Sequence, residues 1–264
     1  MAEPVEPVSH NPVGRFSNRV ADYVRFRPGY PDALLRCLSD EFRLAPRHVV
    51  ADVGAGTGIF SALLLRHGCR VFAVEPNVSM RRAAEDALGG RPGFVGVDGT
   101  AEATTLRDAS VDWIVAAQAF HWFDVDRART ECRRILRPGG RIAVIFNVRR
   151  EDTPFLRDYE RFVHAHAVDY ADVKEQRVEA DGRLERFFGP GGFATRTFDN
   201  AQRFDFDGLA GRTRSASYMP GPEHPRHAAM IEALRRLFDA RAVDGAVEFL
   251  YHTRLFVGVL PAGL

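Results

Sequence analysis

Five short apolar runs lie between residues 48 and 147: HVVADV, RVFAVEP, GFVGVDG, VDWIVAAQA and RIAVIFN. They are interleaved with stretches of helical spacing, GIFSALLLRHG, NVSMRRAAEDALGG and DVDRARTECRRILRPGG. Strands that are apolar on both faces are buried, and strands alternating with helices build a parallel sheet covered on both sides. Right-handed crossovers make that sheet doubly wound. Ligands of such sheets sit outside the carboxyl ends of the strands, near the point where strand order reverses. The punctuation agrees with this reading. Asn77 suits a helix N-cap, Gly68 a helix stop, and the Pro-Gly-Gly at 138–140 ends the third helix.

After residue 150 the alternation ends. PFLRDYERFVHAHAVDY and PRHAAMIEALRRLFDARAV read as helices, GGFATRTFDNAQRFDF and AVEFLYHTRLFVGVL as strands, and the Gly/Pro cluster at 189–192 as a loop. Residues 1–16 are Pro-rich with little apolar material, so they read as a disordered arm. Residues 17–27 suit a short helix stopped by RPGYP, and Pro31 suits the first turn of the next helix.

The chain has 264 residues, 45% of them hydrophobic, enough for one sizeable core. The expectation is one domain over 17–264. Its formal net charge of +1 gives no basic field for nucleic acid. The basic residues are almost all arginine, with Lys174 the one lysine, which weakens any argument from a single arginine. Cys37, Cys69 and Cys132 are an odd, scattered set that suits a reducing compartment better than a disulfide framework. No apolar run reaches the roughly 18 residues of a membrane span. These features predict a cytoplasmic protein, monomer or homodimer, with no membrane partner.

The stretch ADVGAGTGIF at 51–60 carries the chemistry. Gly54, Gly56 and Gly58 allow the backbone to approach a ligand closely, and the following helix start offers unpaired N–H groups. A phosphate or an amino-acid-like carboxylate could sit there. The spacing G-x-G-x-G lacks the third glycine of the dinucleotide fingerprint. Glu75 ends the second apolar run, where a carboxylate can accept from both hydroxyls of a ribose. Asp98 ends the third, where an acid can accept from an adenine amine, and Gln118 follows the fourth.

Taken together, VADVGAGTG, VFAVEP, GTAE, VDWIVAAQAFHWF and LRPGG resemble the class I S-adenosylmethionine-dependent methyltransferases. YVRFRPGYP and RTRSASYMP are similar to the small-molecule group related to trans-aconitate and quinone-ring enzymes. The resemblance covers roughly residues 17–260. It implies an α/β fold: a doubly wound, seven-stranded, mostly parallel sheet with the last strand antiparallel and a helical cap. It implies S-adenosyl-L-methionine as cofactor, S-adenosyl-L-homocysteine as product, and a small-molecule acceptor.

On this resemblance Asp52 meets the cofactor's amino group, Gly54, Ala55, Gly56 and Gly58 line it, and Glu75 with Pro76 holds the ribose. Thr100, Ala101 and Glu102 border the adenine, while Gln118, Ala119 and Phe120 lie near the methionine moiety. Tyr23 and Arg27 belong to an N-terminal lid at about 17–45, and a cap occupies about 150–230. Tyr30, His121, Trp122, Phe193, Tyr218 and Met219 are candidates for the acceptor pocket.

His121 stands near the reacting methyl. Its ordinary pKa of about 6.5 would let it act as a general base, but the neighbouring Phe120, Trp122 and Phe123 favour a pocket wall. A metal is not expected. His164 and His166 point to different helix faces, so they do not converge with Asp169, and Pro225 interrupts His224 and His227. Three rival classes share some of these features: a nicotinamide oxidoreductase, a same-fold protein of non-methylating chemistry, and a nucleic-acid methyltransferase. The glycine spacing counts against the first, and the lack of a basic stripe against the third.

Overall fold

The computed structural model describes residues 24–168, 182–189 and 192–260. The expected arm at 1–16, most of the expected helix at 17–27, Tyr23 and Asp169 lie outside them. Seven strands form one sheet: β1 (Val49–Val53), β2 (Arg70–Val74), β3 (Phe94–Val97), β4 (Val111–Ala117), β5 (Leu136–Arg149), β6 (Phe193–Phe204) and β7 (Val247–Gly258). Their order is β3-β2-β1-β4-β5-β7-β6. The first five pair in parallel, whereas β7 runs antiparallel to both β5 and β6. Strand order therefore reverses between β1 and β4, and a cleft opens there at the carboxyl ends.

Helices α1 (Asp32–Asp40), α2 (Ile59–His67), α3 (Val78–Leu88) and α4 (Val125–Ile135) belong to the parallel half. Alternate residues of each strand feed opposite faces. Ala51, Ile114, Ile142 and Val144 join the core that includes α4 residues, and Val50, Trp113, Val115 and Ala143 join the core that includes α1 and α2. Leu34 and Leu38, one turn apart on α1, are both fully buried, each worth about 1.5–3 kcal/mol. The caps are side-chain made: Asn77 accepts from the amides of Ser79 and Met80, and Asp124 from that of Arg127.

Two boundaries differ from expectation. The third helix ends at Ile135, and Leu136 already pairs with Val111, so LRPGG lies inside β5. The ladder absorbs it as an irregularity between Val111 and Trp113. Two further helices, α6 (Arg183–Phe188) and α7 (Phe206–Arg214), were not anticipated. With α5 (Pro154–His166) and α8 (His227–Arg241), α7 covers a third core over the first half of β7, built around Tyr159, Phe249 and Tyr251. Among the described residues no helix is long and apolar enough to cross a membrane.

The N-terminal segment is tied to the sheet by side-chain amides. Asn147 on β5 and Asn200 on β6 donate to the carbonyl of Gly29 at 3.1 and 2.9 Å. Gln202 donates to the carbonyl of Phe26 at 3.3 Å, and Thr253 Oγ1 donates to Asn147 Oδ1 at 2.5 Å. The ring of Phe26 lies directly over Gly211 of α7, where any Cβ would collide with it.

Candidate cofactor site

The turn from β1 to α2 is built on left-handed glycines. Gly54, Gly56 and Gly58 have φ of +72, +57 and +82 degrees, where a side chain is strained. A Cβ at Gly54 would stand 2.5 Å from Cβ of Ala119, so the turn and the end of β4 approach as closely as backbones allow. The amides of Gly54 and Ala55 both donate to the carbonyl of Val74, fastening the turn to the end of β2.

Glu75 completes this fastening. Its Oε2 accepts from the amide of Gly56 and its Oε1 from that of Asn77, each at 2.8 Å. The carboxylate is buried, which raises its pKa, and the two amides pull it back down. It is thus aimed before any ligand arrives, with one lone pair on each oxygen left for hydroxyl donors.

Three polar atoms in this turn region are buried and carry no hydrogen bond: Asp52 Oδ1, Thr57 Oγ1 and Gln118 Oε1. Buried polar atoms are normally satisfied. Asp52 spends Oδ2 on Ser61 Oγ at 2.6 Å, and burial pushes its carboxyl up to about 7, reinforced by the nearby Glu75. Gln118 has φ of +58 degrees, its amide donates to the carbonyl of Ile145, and its Nε2 donates to the carbonyl of Asn147 at 3.1 Å. These bonds fix which way Oε1 points.

Two hollows share Gly54, Gly56 and Gln118. The larger, about 180 Å³, is also lined by Glu75, Pro76, Thr100, Ala101, Glu102, Ala119 and Trp122. The smaller, about 50 Å³, is also lined by Arg27, Tyr30, Asp52, Ala55 and Thr57. All three unsatisfied atoms belong to residues of the smaller one. The larger sets the Glu75 carboxylate beside Pro76, Met80, Trp122 and Phe123; the smaller gathers the unsatisfied oxygens.

The remaining candidates fall elsewhere. Trp122 lines the larger hollow, beside Ala119 and Phe123. Gly58 faces α3, where a Cβ would meet Leu88 at 2.7 Å, so this glycine serves packing. Phe120 is fully buried in the core against Phe123 and Phe187. His121 lines neither hollow and lies against Trp122 and Phe146, with ring centres 4.8 and 6.1 Å away. Asp98 is exposed and ion-paired with Arg81 rather than turned to the cleft.

Phe193 pairs with Gly258, which pairs with Ile142 in the row of Ala51 and Ile114, two strands away across β7 and β5 from the strand ends that wall the cleft. Its ring packs on Phe188 and Phe256, and it lines neither hollow. Met219 is buried in the third core, and Tyr218 packs against the same core. Asn77, Met80 and Phe123 on one side, and Pro28, Ile59 and Phe60 on the other, line the hollows without having been singled out. The signal for Asn77 and Phe123 was adjacency to EP and HW; Phe60 faces inward one helical turn after Thr57.

A sheet of this order with an antiparallel β7, a glycine turn after β1 and an acid ending β2 defines the class I S-adenosylmethionine-dependent methyltransferases. The comparisons agree: residues 51–144 match the family described as Methyltransferase domain. A protein of Mycobacterium tuberculosis named an uncharacterised methyltransferase is 40% identical over 143 residues, covering 54% of this chain and 56% of its own. A malonyl-[acyl-carrier protein] O-methyltransferase of Methylococcus capsulatus is 35% identical over 164 residues, covering 57% and 59%. The solved structure of a candidate type II methyltransferase from Anaeromyxobacter dehalogenans superposes with a TM-score of 0.66 at 28% identity, covering 90% of this chain and 100% of that one. The chain spans little more than half the length of the curated relatives it matches. It carries a class I S-adenosylmethionine-dependent methyltransferase domain.

Proposed function

We propose that the chain transfers a methyl group from S-adenosylmethionine to a small-molecule acceptor by direct in-line substitution. The observation that carries this is the set of unsatisfied atoms on Asp52, Thr57 and Gln118 in one hollow, beside a Glu75 already aimed by two amides. Ammonium donors satisfy the first set and ribose hydroxyls satisfy Glu75. A nicotinamide dinucleotide brings no ammonium group to the smaller hollow.

The bound cofactor supplies a methyl already activated on a sulfonium centre. The residues of the chain then orient and enclose. Asp52 and Gln118 hold the amino-acid tail, Glu75 holds the ribose, and Trp122 and Phe123 flank the base. The segment containing Arg27 and Tyr30 acts as a lid that keeps water out. His121 serves as a wall beside Trp122 and Phe146 rather than as a base, because alignment of acceptor and methyl near 3 Å provides much of the rate. The near-zero net charge favours a small acceptor over nucleic acid.

Calorimetry with S-adenosylmethionine, S-adenosylhomocysteine and NAD tests the reading. The two sulfur compounds bind and NAD does not; tight NAD binding without response to either of them overturns it.

A further inference from the structure

Among the described residues, two guanidinium groups lie against the third core, Arg212 buried and Arg149 half-buried, and the carboxylate there pairs with Arg149. Arg149 is ion-paired with Glu160, and its Cζ lies 5.0 Å from the centre of the Tyr159 ring. Arg212 of α7 is 6% exposed. Among the described residues its side chain makes one hydrogen bond, Nε donating to Tyr251 Oη at 3.2 Å, and no carboxylate pairs with it. Its Cζ lies 5.7 Å from the centre of the Phe249 ring. An arginine keeps its charge in any such setting, and a buried charge without a counter-charge costs several kcal/mol.

The arginine is nonetheless held in place. Tyr251 Oη in turn donates a hydrogen bond to Gln202 Oε1 at 3.1 Å, and Gln202 Nε2 donates to the carbonyl of Phe26. At the end of α7, Ser215 Oγ donates to the carbonyl of Arg212 at 2.7 Å. The carbonyl of Ser215 accepts from Arg27, which lines the smaller hollow. Arg212 is thus connected through two short hydrogen-bonded paths to the segment that walls the cofactor site, with its terminal nitrogens unspent.

We propose that Arg212 is the anchor for a carboxylate carried by the methyl acceptor, with the aromatic groups of Tyr159, Tyr251 and Phe249 around it. The planar fork of a guanidinium matches a carboxylate in two parallel bonds. One carboxylate cancels the one uncompensated charge, whereas a phosphate dianion would bring a second negative charge, and Arg149 is already committed to Glu160. This rests on the methyltransferase reading above and narrows its acceptor to an anionic molecule.

The test uses the full chain and measures S-adenosylhomocysteine binding first. Failure at that step strikes the methyltransferase reading and this one with it. On the product-loaded protein, malonate, hexanoate and benzoate are then compared with malonamide, hexanamide and benzamide by calorimetry. At least one carboxylate binds at least tenfold more tightly than its amide. Arg212→Met removes that preference, leaves S-adenosylhomocysteine affinity within twofold, and does not lower the unfolding midpoint, because it removes an uncompensated buried charge. Arg212→Lys, which keeps the charge and loses the fork, weakens the carboxylate about fivefold and serves if the methionine variant does not fold. The inference is overturned if product binds but no carboxylate is preferred over its amide, if either variant keeps the wild-type preference, or if Arg212→Met lowers the midpoint while carboxylate binding survives.

Discussion

Asp52→Asn removes the one buried acid in the smaller hollow with little change of shape. The wild-type carboxyl rises from 3.8 to about 7 on folding. At about 1.4 kcal/mol per pH unit this is a ceiling of about 4 kcal/mol, and water entry and relaxation bring it to about 2 kcal/mol. The sign follows from the raised value. Between about pH 4 and 7 the folded chain holds a proton that the unfolded chain has lost, so stability is present below 4 and declines as pH rises through 7. The asparagine variant escapes that decline. At pH 8 its cofactor-free melting temperature should exceed wild type by roughly 4–8 °C, and at pH 4 the two should coincide. Ligand binding should move the other way. Loss of a charge-assisted bond to an ammonium costs about 2 kcal/mol, roughly 30-fold in S-adenosylhomocysteine affinity at pH 8. Wild-type affinity should climb as pH rises toward 7 and then level, with a proton released on binding below 7, seen as a buffer-dependent heat. Two results refute this: a wild-type affinity that is flat from pH 5.5 to 8, or a variant less stable at pH 8 that binds product normally.

Glu75→Ala should weaken product binding by about 2 kcal/mol; by titration Glu75→Gln should be nearly as poor, because its NH2 group must face the amide of Gly56 or of Asn77. Shape and one retained acceptor alone would leave glutamine far better than alanine; the clash of its NH2 group with a backbone amide is what narrows the gap. Both Gly56→Ala and Gly58→Ala put a side chain at positive φ and should lower the melting temperature, Gly58→Ala by several degrees more because its Cβ also meets Leu88 at 2.7 Å, while Gly56→Ala, with nothing nearer than Met80 at 3.9 Å, should lose the more product affinity; paired thermal and titration curves separate the two. His121→Phe should retain most turnover with an unchanged acid limb in its pH–rate profile, while His121→Asn raises the acceptor KM; a loss of 10²–10⁴-fold in both with product binding intact would make it a base.

The parallel half was legible because both of its signals are local. A β-branched run followed by helical spacing needs no knowledge of distant residues, and the glycine turn and Glu75 are fixed by their place in a βαβ unit. Register is not local. Phe193 looks like an aromatic near a loop, and only the strand order, which sends β6 to the sheet edge, and its packing on Phe188 and Phe256 take it away from the cleft. LRPGG reads as a helix stop, but its pairing with β4 is set by tertiary contact. Helix α7 hides because FDGLAGRTR carries two glycines, and at one of them, Gly211, the ring of Phe26 takes the space a Cβ would fill. The trans-aconitate and quinone likeness rests on motifs alone. The exchange of hydrogen bonds between Glu75 and two amides had no sequence signal at all.

The amide clasp on the N-terminal segment bears on time rather than affinity. Asn147, Asn200 and Gln202 hold the carbonyls of Gly29 and Phe26, and three such bonds at about 1 kcal/mol each make the undocked segment roughly a hundredfold rarer than the docked one. Spent cofactor can leave only in those rare intervals if the segment closes the methionine end. Turnover would then be clocked by how often the clasp lets go, as lid opening sets the pace of many enzymes. The timer would be a sheet edge 171 positions along the chain from the glycine it holds.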